Sequence, residues 1–337
     1  MADPNVGQVT ASVFEAMVGK GKPTNNVFNS RALLYALADP DGKGRARYTG
    51  YKEEVNGGRL FEYTLEYAEN TNFAMYGEMD TLTTTRVDTF DAAQFNQKIC
   101  AGTVNISDLE VARNAAENRK IDIVAAKLEN GRQTTTAVMN RNLWGGDGTG
   151  NNFDGLTKII ASAPTTGTVG GINRATFAFW RNRQNSGAKT SVIYDNLRSS
   201  WTTTYNQCSL GGVDMTPTAI ITDRTMFEAY EGTLVAIEKI ERRDRPSGGD
   251  IAFLNDALTF KGADVFYDED AATYASVEVR FLNPKALKFT VLAGYWMKMK
   301  PPIGPANQLA EVTQVETFGN LGTNGSRYLG VVTLGTS

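Results

Sequence analysis

Val104-Asn105-Ile106-Ser107-Asp108-Leu109-Glu110 closes on a Ser-x-x-Glu pattern. The hydroxyl of such a serine accepts from the amide three residues on, and the glutamate there reaches back to the serine amide. Ser107 and Glu110 therefore mark the start of a helix, the cap of the long element in this chain. Ala112, Ala116, Ile123 and Leu128, with Ile121, Val124 and Ala125, continue it as an apolar stripe at helical spacing. A run to Leu143 is expected to be roughly 50 Å long, at about 1.5 Å per residue. Gly131 is its weak point, and Gly145 and Gly146 end it.

Upstream the period changes to two. Phe61, Tyr63, Leu65 and Tyr67 alternate with Glu62, Thr64 and Glu66, the signature of a strand with one apolar face. Arg47 to Val55 is rich in Tyr and charge, and Asn56-Gly57-Gly58 supplies the positive φ of a tight turn. A long β-hairpin from Arg47 to Tyr76 is expected. An isolated two-stranded hairpin is marginal in water. Its apolar face, Phe61, Tyr63, Leu65 and Tyr67, is therefore expected to pack on a neighbouring subunit. The first forty residues, broken by Gly19, Gly21, Pro23, Pro40 and Gly42, read as an arm outside the core.

Downstream, the Gly-rich segment Gly145 to Gly155 opens a second lobe, with Gly145 to Gly150 reading as a flexible turn between the lobes. Ile193, Leu197, Trp201 and Tyr205 mark an amphipathic helix, and Ala219 to Thr222 a strand. Asp223 can cap a short helix carrying Met226, Phe227 and Tyr230. Leu258 to Leu292 divides into short strands at Gly262, Asp268 to Asp270 and Asn283-Pro284. Pro301-Pro302-Ile303-Gly304-Pro305 is a stiff linker to a last strand pair, Glu311 to Phe318 and Arg327 to Leu334, joined at Gly322 to Gly325. No internal repeat is present, and the class is α+β with helices on a mixed sheet.

Composition narrows the chemistry. At 337 residues, two packed lobes are expected. The net charge of −3 comes from 34 basic and 37 acidic residues with no long run of either sign, so no field for sequence-specific nucleic-acid binding arises. The N-terminus has no basic region followed by an apolar stretch, and no run of about 18 apolar residues occurs. A cytosolic product without membrane contact is expected.

There is no histidine, which excludes Ser-His-Asp and Cys-His catalysis and His-ligated metal sites. Cys100 and Cys208 read as buried free thiols. Gly145 to Gly150 follows a helix and lacks the Gly-Lys-Ser/Thr ending of a phosphate loop. Asp268-Glu269-Asp270 reads as a solvated turn rather than a cation site, and Asp39-Pro40-Asp41-Gly42 lacks the EF-hand spacing. Arg242-Arg243-Asp244-Arg245 reads as a solvated loop or a salt-bridge site between subunits, and Trp180, Trp201 and Trp296 as core or interface anchors. No nucleophile, base and oxyanion hole assemble, so no catalytic, cofactor or metal residues are assigned.

In this order of elements the chain resembles the major capsid proteins of tailed phages, which share the Hong Kong phage-capsid fold. The resemblance covers residues 44–337. It lies in Arg86-Val87-Asp88-Thr89-Phe90 through Phe95, in Val104 to Glu110, and in Asn114, Glu117 and Ile121 to Ile123. It continues in Phe260-Lys261-Gly262-Ala263-Asp264-Val265, Phe281-Leu282-Asn283-Pro284 and Gln314 to Leu329. It implies an N-terminal arm (1–43), an extended β-hairpin loop (44–82) and a peripheral domain with a long spine helix (83–150). An axial domain with mixed sheet and helices (151–284) and return strands of the peripheral domain (285–337) follow.

The implied function is a coat subunit that self-assembles into pentamers and hexamers of an icosahedral head around non-specifically packaged double-stranded DNA. The implied location is the virion, assembled in the host bacterial cytoplasm, with no cofactor and no membrane. Portal and decoration proteins are further implied partners, and any scaffold is expected to be a separate protein, since only about forty residues precede the hairpin. Lys52 falls in the expected loop, but no crosslinking residues carry over. The alternatives are an encapsulin-type shell, a tail or baseplate structural protein and, from another class, a hydrolase working with two carboxylates.

Overall fold

A computed structural model describes residues 31–38, 50–113, 123–187, 193–210, 212, 215–235, 258–305 and 309–334. Most of the expected arm, Asp39 to Gly42, Asn114, Glu117, Ile121 and the Arg242 to Arg245 cluster lie outside these residues. Strands β1 to β15 run Lys52–Val55, Leu60–Glu66, Phe90–Asn96, Lys98–Ser107, Thr168–Val169, Ile172–Asn173, Arg183–Gly187, Ala219–Thr222, Leu258–Phe260, Ala263–Tyr267, Glu278–Leu282, Leu287–Leu292, Lys298–Met299, Ala310–Thr323 and Gly330–Leu334. The chain forms two compact units, one including Cys100–Val138 and Met297–Thr317, the other Ser30–Ile99, Met139–Trp296 and Phe318–Ser337.

The second unit is built on a mixed six-stranded sheet in the order β7-β15-β11-β8-β10-β9. β7 runs parallel to β15 and β8 parallel to β10, and the other pairs are antiparallel. Central β8, Ala219-Ile220-Ile221-Thr222, is buried at every position, which is why it reads as a continuous apolar run instead of an alternation. On one face Leu197 and Trp201 of helix Ile193–Cys208 and Met226 and Tyr230 of helix Arg224–Val235 pack on Ile220, Val265, Val279, Phe281 and Val332. Trp201 stacks on Tyr230 at 4.6 Å and meets Phe260 edge-on at 5.5 Å. Asp223 Oδ1 accepts the Met226 amide at 3.1 Å, capping the second helix as expected. On the other side, Arg280 is buried with its guanidinium over the Trp144 ring, held to Glu278 at 2.5 Å.

The expected hairpin is re-paired. β1 lies parallel to β12, from Lys52↔Phe289 to Val55↔Leu292, while β2 is antiparallel to β3, from Leu60↔Asn96 to Glu66↔Phe90. Gly57 and Gly58 do turn with φ of 75° and 98°, but between strands of different sheets. Lys52 accordingly sits in β1, 2.8 Å from Glu54 and over Trp296, not in a protruding loop. Alternation identifies a strand and its faces but says nothing about its partner. The last two strands are likewise not a pair: β14 joins β12 (Leu287↔Thr323), and β15 joins β11 and β7.

Three further expectations fail, two on burial and one on hydrogen bonding. Residues 32–37, assigned to an arm outside the core, form a helix whose Leu33, Leu34, Ala36 and Leu37 are buried. Asp268, read as part of a solvated turn, is fully buried and accepts the Leu33 amide at 2.8 Å. Asn140 completes this remote cap, its Oδ1 accepting the Leu34 amide at 3.0 Å and its Nδ2 donating to Asp270 at 2.7 Å. The helix start has no cap of its own, so carboxylate and amide groups distant in sequence supply it.

The third is the turn from Gly145 to Gly155, which is tied rather than loose. Gly155 N–H donates to Gly146 O at 2.7 Å, Lys98 Nζ donates to Gly150 O at 2.6 Å, and Asp154 pairs with Lys158 at 2.5 Å. Asn320 clamps Asp154 through its Oδ1 and Nδ2, at 2.8 and 2.7 Å.

In the first unit, helix Asp108–Arg113 follows β4 directly, and Ser107 N–H donates to Glu110 Oε2 at 3.3 Å. The same Oε2 receives Lys127 Nζ at 2.5 Å, which with the Ser107 bond holds the Glu110 carboxyl below its ordinary value. Helix Ile123–Gly145, which belongs to this unit as far as Val138, runs unbroken through Gly131, whose missing Cβ makes room for Val104 of β4. The Pro301 to Pro305 segment is strand-like: Ile303 and Val312 exchange backbone hydrogen bonds at 3.0 Å.

Candidate functional site

Residues 67–89 connect β2 to β3 and carry an inversion of the usual polarity. The base is closed where Tyr67 N–H donates to Thr89 O at 3.0 Å and Tyr67 Oη to Asp88 O at 2.8 Å. The Tyr67 ring stacks on Phe179 at 5.8 Å. Further out, polar groups hold the chain. Asn72 Nδ2 donates to Thr85 O at 2.5 Å, and Tyr76 Oη donates to Asn72 O at 3.0 Å. Asp80 Oδ2 accepts the Gly77 amide at 2.5 Å.

The apolar side chains point outward. Phe73 is 85% exposed, Met75 102%, Met79 95% and Leu82 65%. Isolated exposed apolar residues are ordinary, but four within ten positions of one loop form a patch that water penalises and a partner surface would cover.

The four residues expected to meet a neighbour are placed differently. Phe61 and Leu65 are buried within their own chain. Tyr63 Oη hydrogen-bonds Thr290 Oγ1, and its ring meets Phe95 edge-on at 5.7 Å. Burial raises the Tyr63 phenol to about 12. Gly322 faces this pair closely enough that an added Cβ would lie 2.5 Å from the Tyr63 ring. The premise that this face lacks cover therefore does not hold, because Phe95 and the β12 and β14 strands supply it.

The uncovered apolar groups stand instead in Phe73-Ala74-Met75-Tyr76-Gly77-Glu78-Met79-Asp80-Thr81-Leu82. Met75, Met79 and Leu82 stand at i, i+4 and i+7, a helical spacing, yet no helix forms over residues 73–82, so the period does not reveal the exposed loop. Ser107 and Glu110 lie in the first unit, at the entry to helix Asp108–Arg113.

Both cysteines are free thiols, Cys208 buried and Cys100 half-buried, raised by burial to about 12 and about 11. Among the described residues no group of three or more Cys, Asp or Glu could hold a metal ion. Nor is any helix among them long and apolar enough to cross a membrane.

No protein-family model matches the chain, and no curated protein matches its sequence. Solved structures do match along nearly the whole length. The cyanophage A-1(L) capsid asymmetric unit aligns with TM-score 0.59 at 15% identity, covering 96% of this chain and 98% of that one. The capsid of the native GTA particle aligns with TM-score 0.61 at 12% identity, covering 94% of each. The holo-SrpI encapsulin complex from Synechococcus elongatus PCC 7942 aligns with TM-score 0.59 at 9% identity, covering 99% and 96%. The chain shares the mixed α+β fold of these shell subunits.

Proposed function

We propose that this chain is a shell-building coat subunit that assembles with copies of itself through the outward apolar tip of the 67–89 loop. The observation that carries the reading is that tip: polar side chains fold the loop, while Phe73, Met75, Met79 and Leu82 face solvent. In this reading the β2–β3 connection is the extended loop, helix Ile123–Gly145 belongs to the spine, and the six-stranded sheet is the axial domain. The particle is the icosahedral head of a tailed phage, made of pentamers and hexamers around double-stranded DNA held without sequence preference. Scaffolding, portal and decoration functions belong to separate proteins, and the mature protein resides in the virion.

An encapsulin-type shell is the second reading, favoured by the near-complete overlap with an encapsulin subunit. Electron microscopy of purified protein, paired with a Phe73→Ser/Leu82→Ser variant, tests the proposal. Closed particles from wild type and folded, unassembled subunits from the variant are expected. Burying such side chains is worth about 1.5–3 kcal/mol each, repeated at every contact. Strictly monomeric wild-type protein at micromolar concentration would sink the proposal. Nuclease-protected DNA inside particles distinguishes a phage head from a cargo shell.

A further inference from the structure

The sequence holds nine methionines, and their environments differ sharply. Met139 and Met226 are buried in the core, whereas Met75 and Met79 are the most exposed large apolar residues among those described. They stand four positions apart, one on each side of Gly77 and Glu78, on a backbone tied by the Gly77–Asp80 hydrogen bonds. Both side chains stand outside the polar contacts that hold the loop. Their thioethers are open to any solute, and they sit in the patch assigned above to subunit docking.

A thioether sulfur reacts with a peroxide by donating an electron pair to one peroxide oxygen. The O–O bond breaks, an S–O bond forms and water leaves. Sulfur is oxidised by two electrons and the peroxide is reduced by two. The product sulfoxide is polar and accepts hydrogen bonds, so it resists burial in an apolar contact that offers no donor.

We infer that Met75 and Met79 form an oxidation site that controls assembly. As thioethers they dock, and as sulfoxides they hold the subunit in the unassembled state until a methionine sulfoxide reductase restores them. Docking covers the sulfurs, so unassembled subunits respond to peroxide and finished particles do not. This inference rests on the reading of the loop tip as a docking surface.

The test treats dissociated subunits with dilute hydrogen peroxide and maps added oxygen by peptide mass spectrometry. Particle yield is then followed by sedimentation. Met75 and Met79 should oxidise well before Met139 and Met226. The yield should fall about tenfold or more, since each lost apolar contact is worth roughly a factor of ten or above. Reductase treatment should restore the yield, and Met75 and Met79 should be protected in finished particles.

In a Met75→Leu/Met79→Leu variant, peroxide should no longer change the yield, whatever its untreated level. Oxidation of Met75 and Met79 no faster than that of the buried methionines would overturn the inference. Intact assembly after full oxidation, together with shell loss in the Phe73→Ser/Leu82→Ser variant, overturns the inference alone. Normal shells from that variant overturn the docking reading and this inference with it.

Discussion

At Asp268, Leu33 N–H at 2.8 Å, Asp270 N–H at 2.9 Å and Asn140 Nδ2 at 3.2 Å converge on one buried carboxylate. Burial nevertheless outweighs these donors and, with the nearby Asp270 charge, pushes the carboxyl up to about 6. A folded-state value above the unfolded one means the native state takes up the proton first as pH falls. The penalty of the buried charge is thus present at pH 7.5 and is relieved as pH drops through 6. Wild type should gain about 1.4 kcal/mol between pH 7.5 and 5 relative to an Asp268→Asn variant, which cannot titrate there. Urea melts of both proteins at the two pH values measure it, and a constant difference would refute the assignment. Gly155 is a second sensitive position, because a Cβ there would lie 2.5 Å from Gly146 N. Gly155→Ala should cost about 1–3 kcal/mol through overpacking, read as a lower denaturation midpoint.

Among the elements, β2 and β3 form a seven-residue ladder that places Glu62 opposite Gln94, with Gln94 Nε2 donating to Glu62 Oε1 at 2.8 Å. Cysteines replacing these two exposed residues should oxidise to a disulfide under mild conditions, since directly opposed Cα atoms lie about 4.5–5.5 Å apart. A cysteine pair at Glu62 and Glu53 should not, and its efficient closure would restore the hairpin first expected from the sequence. The remote cap of helix Ala32–Leu37 makes a further test. Asn140→Ala leaves the buried Leu34 amide without its acceptor, costing about 1–3 kcal/mol. Amide exchange of residues 33–37 should accelerate accordingly, and unchanged protection would show that the helix holds without Asn140.

For the whole molecule, Trp201 is the keystone of the second unit, in contact with Tyr230, Phe260 and Phe281 and fully buried. Trp201→Ala should destabilise the protein by about 3–5 kcal/mol, the usual range for a buried aromatic truncated in a packed core. Calorimetry giving an unchanged transition would remove Trp201 from that role. That residue, the helix around it and the Asp223 cap were all legible in the sequence, as were the β2 strand and the α+β class. Each is written in side chains within a few residues of one another, through period or through a capping pattern. The absence of histidine was equally local and removed whole classes of chemistry. Strand partners, the burial of Asp268 and the identity of the apolar groups left facing water were not legible. Asp268 and the Leu33 amide are 235 residues apart, and Tyr63 and Thr290 are 227 apart. Sequence alone therefore determined the elements that a clear period or cap marks, such as β2 and the helices around Trp201 and after Asp223, and which face of each is apolar, but not the helix Ala32–Leu37. Only the tertiary structure decided what covers those faces, because cover comes from residues that no local period connects.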